Sequence, residues 1–133
     1  MTTPESSLSL HQALRAYARM MNTLCVDPLE PLLAEDFHYE SQWVFTAITS
    51  KREFLEYIRP KLDTIKQTGS RVWAEMAELR EPPGGPCLVL AQGDPNRPRA
   101  TLLIQLAGGK IQRADLCIVP HPATAERTSE YPT

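Results

Sequence analysis

Residues 32–65 read LLAEDFHYESQWVFTAITSKREFLEYIRPKLDTI, and the order of signals within them decides the fold. Leu32 and Leu33 close a short apolar helical turn. Phe37 to Phe45 is aromatic and β-branched enough for a strand, with a bend near Gln42. Ser50-Lys51-Arg52-Glu53 has the spacing of a capping box, in which the serine oxygen takes a free amide at the helix start. Phe54, Leu55, Ile58, Leu62 and Ile65 then form a stripe at helical spacing. Pro60 falls inside this helix, removes one backbone donor and predicts a kink. Gly69 is placed to end it.

Upstream, Leu10, Leu14, Tyr17, Met21 and Leu24 mark one face of an amphipathic helix. Ser9 with Gln12 suits a capping box, and Ser6 and Ser7 are alternative starts. Asp27-Pro28-Leu29-Glu30 signals a second, short helix carrying Leu29, Leu32 and Leu33 inward. Downstream, strands are predicted at Arg71–Leu79, Pro86–Gln92, Arg99–Ala107 and Lys110–Val119. PPGGP, GDPNRP and AGG separate them as turns, and such short spacing favours an antiparallel meander. After Val119 the chain turns polar and proline-rich. One domain over residues 1–119 and a flexible polar tail over 120–133, with no packed role, are expected.

The whole is α+β: a cone-shaped, curved antiparallel sheet wrapped around a long helix, with two further N-terminal helices. One end of such a cone is closed by side chains and the other can hold a ligand.

The 133 residues are 42% hydrophobic, enough for one core. A formal charge of -2 with scattered Lys and Arg implies no nucleic-acid partner and no anionic membrane. No stretch reaches the length of a membrane span, and the N-terminus lacks a secretory pattern. Cys25, Cys87 and Cys117 show no CxxC spacing and read as reduced thiols of a cytoplasmic protein. His11, His38 and His121 show no ligand spacing, so no metal is expected. No phosphate-binding glycine motif, nucleophile elbow or cofactor motif is present.

Four segments carry a resemblance: Tyr17 to Asn22, Leu32 to Phe37, Tyr39-Glu40-Ser41, and the hairpin Leu106 to Ile111. With this element order the chain resembles the nuclear transport factor 2-like superfamily (a cystatin-type roll), which includes ketosteroid isomerases and SnoaL-like polyketide cyclases. The resemblance spans roughly Leu8 to Val119. The isomerases work with an Asp base and an oxyanion hole of a Tyr and a protonated Asp. The resemblance puts Tyr17 at the tyrosine, Ser41 at the base, and Leu102 or Leu103 at the protonated acid. An unactivated alcohol is no base and an apolar side chain donates no hydrogen bond, so that mechanism is not expected here. The family also implies a homodimer through the outer sheet face.

Alternation puts His38, Glu40 and Gln42 on one face of the strand and Tyr39, Ser41 and Trp43 on the other, and register with the resembled family implies that Tyr39 and Ser41 point inward. The ligand-binding candidates are Tyr17, Tyr39, Ser41, Trp43 and Met76. Each has an alternative reading as core, and Tyr17 divides between a pocket donor and a core phenol. The catalytic candidates are His38, Glu40 and Ser41. A His38–Glu40 pair could move protons if a bend turned it inward, and is otherwise a surface salt bridge. Trp43, Phe45 and Trp73 are expected to wall the mouth. Arg113 and Asp115 share the outer face and suit an interface or a surface ladder.

Two functions follow. One is a cofactor-free pocket protein for a small apolar molecule with one or two oxygens, which it would isomerise, cyclise or hydrate. The other is a non-catalytic homodimeric binding or assembly module. An open cavity lined by Tyr17, Tyr39, Ser41 and Trp43 favours the first; a cone filled by Trp43, Met76 and Leu102 favours the second.

Overall fold

In a computed structural model, which describes residues 8–80 and 84–133 (the backbone alone at 45 and 46), Ser9 starts the first helix. Its hydroxyl accepts from the Gln12 amide at 3.1 Å and the Gln12 side chain accepts from the Ser9 amide at 2.9 Å. Helix α1 (Leu10–Thr23) follows and buries Leu14, Tyr17 and Met21. Ser6 and Ser7 lie outside the described residues.

The second N-terminal helix is corrected. Residues Glu30–Leu32 form a single 3-10 turn, and Leu33 already begins strand β1 (Leu33–Ser41). Too few residues separate Pro28 from the strand to offset the cost of nucleating an α-helix. Leu33 instead pairs with Ile111 and is buried to 2% exposure.

The predicted bend near Gln42 is a reversal. β1 ends at Ser41 and β2 (Val44–Ile48) returns antiparallel beside it, with an irregularity between Glu40 and Ser41. Ser50 then accepts from the Glu53 amide at 3.1 Å and opens α2 (Lys51–Gln67). The helix continues past Pro60, which is exposed, so water can satisfy the carbonyl the ring leaves free. Gly69 ends it with φ +71, a conformation that costs glycine little.

Strands β3 (Val72–Leu79), β4 (Gly85–Gln92), β5 (Ala100–Ala107) and β6 (Lys110–Cys117) form the expected meander. The turn predicted over residues 82–86 lies partly outside the described residues. The seven-stranded curved sheet has the order β2-β1-β6-β5-β4-β3-β7. It is mixed, not antiparallel throughout, because β6 pairs parallel with β1.

Both helices pack on the inner face, α1 chiefly against β3 and α2 against β1. Phe37 and Phe54 meet edge to face at 5.0 Å where β1 and α2 touch, and both are fully buried. Met76 and Leu102 fill the depth of the cone beneath α1.

The C-terminal segment is the largest correction. Residues 120–133 were expected to be a loose tail, yet Ala125–Arg127 form β7, antiparallel to β3. The Met76 amide donates to the Glu130 carbonyl at 2.9 Å, extending that contact. Glu75, on the outer face at 2% exposure, accepts from Arg127 Nε at 2.6 Å, the Ser129 amide at 2.7 Å and the Tyr131 hydroxyl at 3.2 Å. Ala125 and the partly buried Leu103 pack on Cys87 and Val89. Polar composition did not betray this segment because backbone pairing and one buried ion pair hold it, with little apolar burial. Where β7 ends, the Asn22 carboxamide takes over: it accepts from the Ala74 amide at 2.7 Å and donates to the Ala74 and Pro132 carbonyls at 2.9 and 2.7 Å.

Candidate functional site

Three elements converge at the open end of the sheet. Helix α2 presents Tyr57, Lys61 and Ile65, four residues apart and therefore on one stripe. The β1–β2 reversal supplies Ser41, Trp43 and Val44. The end of β4 brings Leu90 and Gln92, and the β4–β5 connection brings Arg99, to the same opening. They line a half-open cavity of about 250 Å³, to which Met21 and Val72 add apolar wall.

Trp43 is 47% exposed and stands at the rim rather than in the core. Its turn is fixed from behind. The Trp43 amide donates to Ser41 Oγ at 3.2 Å, and the Gln42 side chain accepts from the Ile118 and Val119 amides at 2.6 and 3.0 Å. Arg99 lies over the Trp43 ring, 5.6 Å from its centroid. Lys61 lies 5.4 Å from the Tyr57 centroid and donates to the Tyr57 hydroxyl at 3.0 Å.

Below the rim is an aromatic layer. Tyr39 packs on Phe54 at 5.3 Å and on Tyr57 at 5.9 Å. Burial, and then the neighbouring Tyr57, holds the Tyr39 phenol well above its ordinary range, against a hydrogen bond with Ser41 that acts in the opposite sense. Tyr17 is also raised, by burial first and by the Tyr39 and Tyr57 phenols second. Tyr17 and Tyr39 therefore stay protonated and can donate a hydrogen bond but not take a proton.

Of the predicted ligand-binding residues, Ser41 and Trp43 line the cavity. Tyr17, Tyr39 and Met76 are buried beneath it, at 3–5% exposure, as parts of the core. Trp73 does not wall the mouth. It faces outward, packs edge to face on Tyr131 at 5.5 Å and donates to the Gly93 carbonyl. The Phe45 side chain lies outside the described residues. Tyr57, Lys61 and Arg99 were not singled out from the sequence. The spacing of Tyr57, Lys61 and Ile65 was a legible sign, but nothing local connects Arg99 to it.

The catalytic candidates are split between two faces. Ser41 points inward, while His38 and Glu40 lie on the outer face and meet at 2.9 Å. Arg113 from β6 grips Asp115 through two contacts of 2.9 Å and reaches Glu40 at 3.0 Å. The His38 hydrogen bond, with help from Arg113, holds the Glu40 carboxyl below its ordinary value. A larger hollow of about 460 Å³ lies beside this ladder, lined by Glu40, Ala47, Leu103, Asp115 and Cys117. No carboxylate or imidazole lines the inner cavity among the described residues. The inner cavity can therefore bind and polarise an oxygen, but it holds no ordinary general base. Among the described residues, no three metal-binding side chains gather in one place, and no helix is long and apolar enough to cross a membrane.

No family model and no curated protein sequence matches the chain. Solved structures do. An NTF2-like protein of unknown function from Mesorhizobium loti has a TM-score of 0.62 and 12% identity, over 96% of this chain and 98% of that one. A SnoaL-like protein of unknown function from Burkholderia thailandensis has a TM-score of 0.60 and 14% identity, with coverage of 96% and 98%. A candidate polyketide cyclase from Sinorhizobium meliloti has a TM-score of 0.53 and 14% identity, with coverage of 77% and 90%. At such identities the likeness is one of backbone shape. It extends over nearly the whole chain, and so the chain has the nuclear transport factor 2-like fold.

Proposed function

We propose that this protein binds a small, mostly apolar molecule with one or two oxygens at the open end of the sheet. The cavity there carries the reading: an apolar wall with a few polar groups at one rim is the usual form of a small-molecule site. At about 250 Å³ it is smaller than the roughly 300–1,000 Å³ of drug-sized sites, which suits a one- or two-ring ligand. The candidate cyclase among the similar structures supports a cofactor-free isomerase, cyclase or hydratase chemistry, with Ser41 and Tyr57 orienting the ligand oxygen.

A second reading is a non-catalytic homodimeric module. The absence of a carboxylate or imidazole among the described residues lining the inner cavity favours it. The C-terminal segment covers the outer face over β3 and β4, which leaves the His38–Asp115 ladder on β1 and β6 as the open part for a second copy.

Fragment titration monitored by amide NMR separates the two. Under the first reading, shifts cluster at Ser41, Trp43 and Tyr57, and Trp43→Ala weakens binding about tenfold with little loss of stability, since Trp43 is half exposed. Absence of binding across apolar ring fragments, together with a dimer in sedimentation, would transfer the assignment to the second.

A further inference from the structure

The two cations at the cavity rim have no acidic counterpart. The partly buried basic side chains of this fold sit on carboxylates, Arg113 on Asp115 and Glu40 and Arg127 on Glu75. Among the described residues neither Lys61 nor Arg99 has such a partner, and both line the same cavity. Each rests instead beside an aromatic ring of that cavity, Lys61 by Tyr57 and Arg99 by Trp43. A ring face attracts a cation without cancelling its charge. The rim is thus a pair of positive charges beside an apolar wall, with no carboxylate among the described residues that line the cavity.

We infer that the ligand is an anion, a planar aromatic carboxylate. Its ring lies against Trp43 and the apolar wall of Leu90 and Ile65, and its carboxylate lies between the Lys61 ammonium and the Arg99 guanidinium. A carboxylate accepts hydrogen bonds from both groups, and charge-assisted bonds of this kind are about twice as strong as neutral ones. The Tyr57 hydroxyl, which accepts from Lys61 Nζ, is a third polar group at the same rim. A neutral ligand would leave the two cations uncompensated while covering them from water, which is unfavourable. This inference rests on the proposed binding site and gives that site its chemical class.

The test is a comparison of 2-naphthoate with its neutral isostere 2-naphthamide, by calorimetry on the wild type, Lys61→Met and Arg99→Met. The expected result is naphthoate binding at least tenfold tighter than the amide in the wild type. That preference falls several-fold in each variant and weakens with added salt, while Lys61→Arg retains most of it. Equal binding of the two compounds, unchanged by either substitution, would overturn the anion assignment and leave the binding site standing. Absence of binding by either compound at millimolar concentration would overturn both.

Discussion

The buried and laddered pairs of the outer face and the rim of the inner cavity treat charge in opposite ways. On the outer face Arg113 is shared by Asp115 and Glu40, and Arg127 sits on the buried Glu75. At the inner cavity Lys61 and Arg99 lie against rings, with no carboxylate near them among the described residues. Arg127 satisfies a carboxylate that the fold has desolvated, and Arg113 on β6 ties to Glu40 on the neighbouring β1. Charge without a carboxylate beside a cavity contributes little to folding and keeps its attraction for something from outside. The contrast separates residues that hold the structure from residues that would use it.

The most severe way to break the contrast is Arg127→Ala. It leaves the Glu75 carboxylate buried without its cation, and a loss of about 3 kcal/mol is expected. Urea denaturation should show the fall in midpoint with an unchanged slope. A loss under 1 kcal/mol would mean that the C-terminal segment adds little to the fold.

Acid provides a gentler test. Glu40 and Glu130 both titrate below their ordinary value of 4.5, held by hydrogen bonds from His38 and Arg15 respectively. A depressed carboxyl stabilises the fold above its unfolded value, and that contribution is lost as pH falls through the folded one. Thermal midpoints should therefore be flat above about pH 5.5 and decline below 4.5, with a shallower decline in Glu40→Gln and Glu130→Gln. Both groups are exposed, so the effect is small. An identical decline in the variants would assign acid sensitivity to other carboxylates.

At the bottom of the scale are the cavity cations. Lys61→Met and Arg99→Met should each change stability by no more than about 0.5 kcal/mol in the absence of ligand. A larger loss would place them among the structural charges and erase the contrast.

Much of the frame was legible in the chain. Ser9 with Gln12 and Ser50 with Glu53 start the two helices where their spacing says, because a cap is a local device read over four residues. The meander was legible from alternation and turn glycines. The failures share a physical cause, which is that tertiary contact decided them. Leu33 became a strand residue because Ile111, far along the chain, offered a partner. The C-terminal segment packs through Glu75, a polar residue whose burial depends on residues more than 50 positions away. At the cavity, Ser41 and Trp43 were found through the strand and its expected register, whereas Arg99 reaches the rim only because the β4–β5 connection folds over it.

The carboxamide of Asn22 has one more implication. A sheet edge with a free amide and a free carbonyl is a template on which another chain can add a strand, and aggregation begins at such places. At Ala74 that template is taken by a single side chain that offers one donor and one acceptor in the geometry of a neighbouring backbone. A helix residue therefore acts as one rung of the sheet and stops it from growing. Aspartate at this position would offer no donor and leave the Ala74 carbonyl open to whatever strand next came within reach.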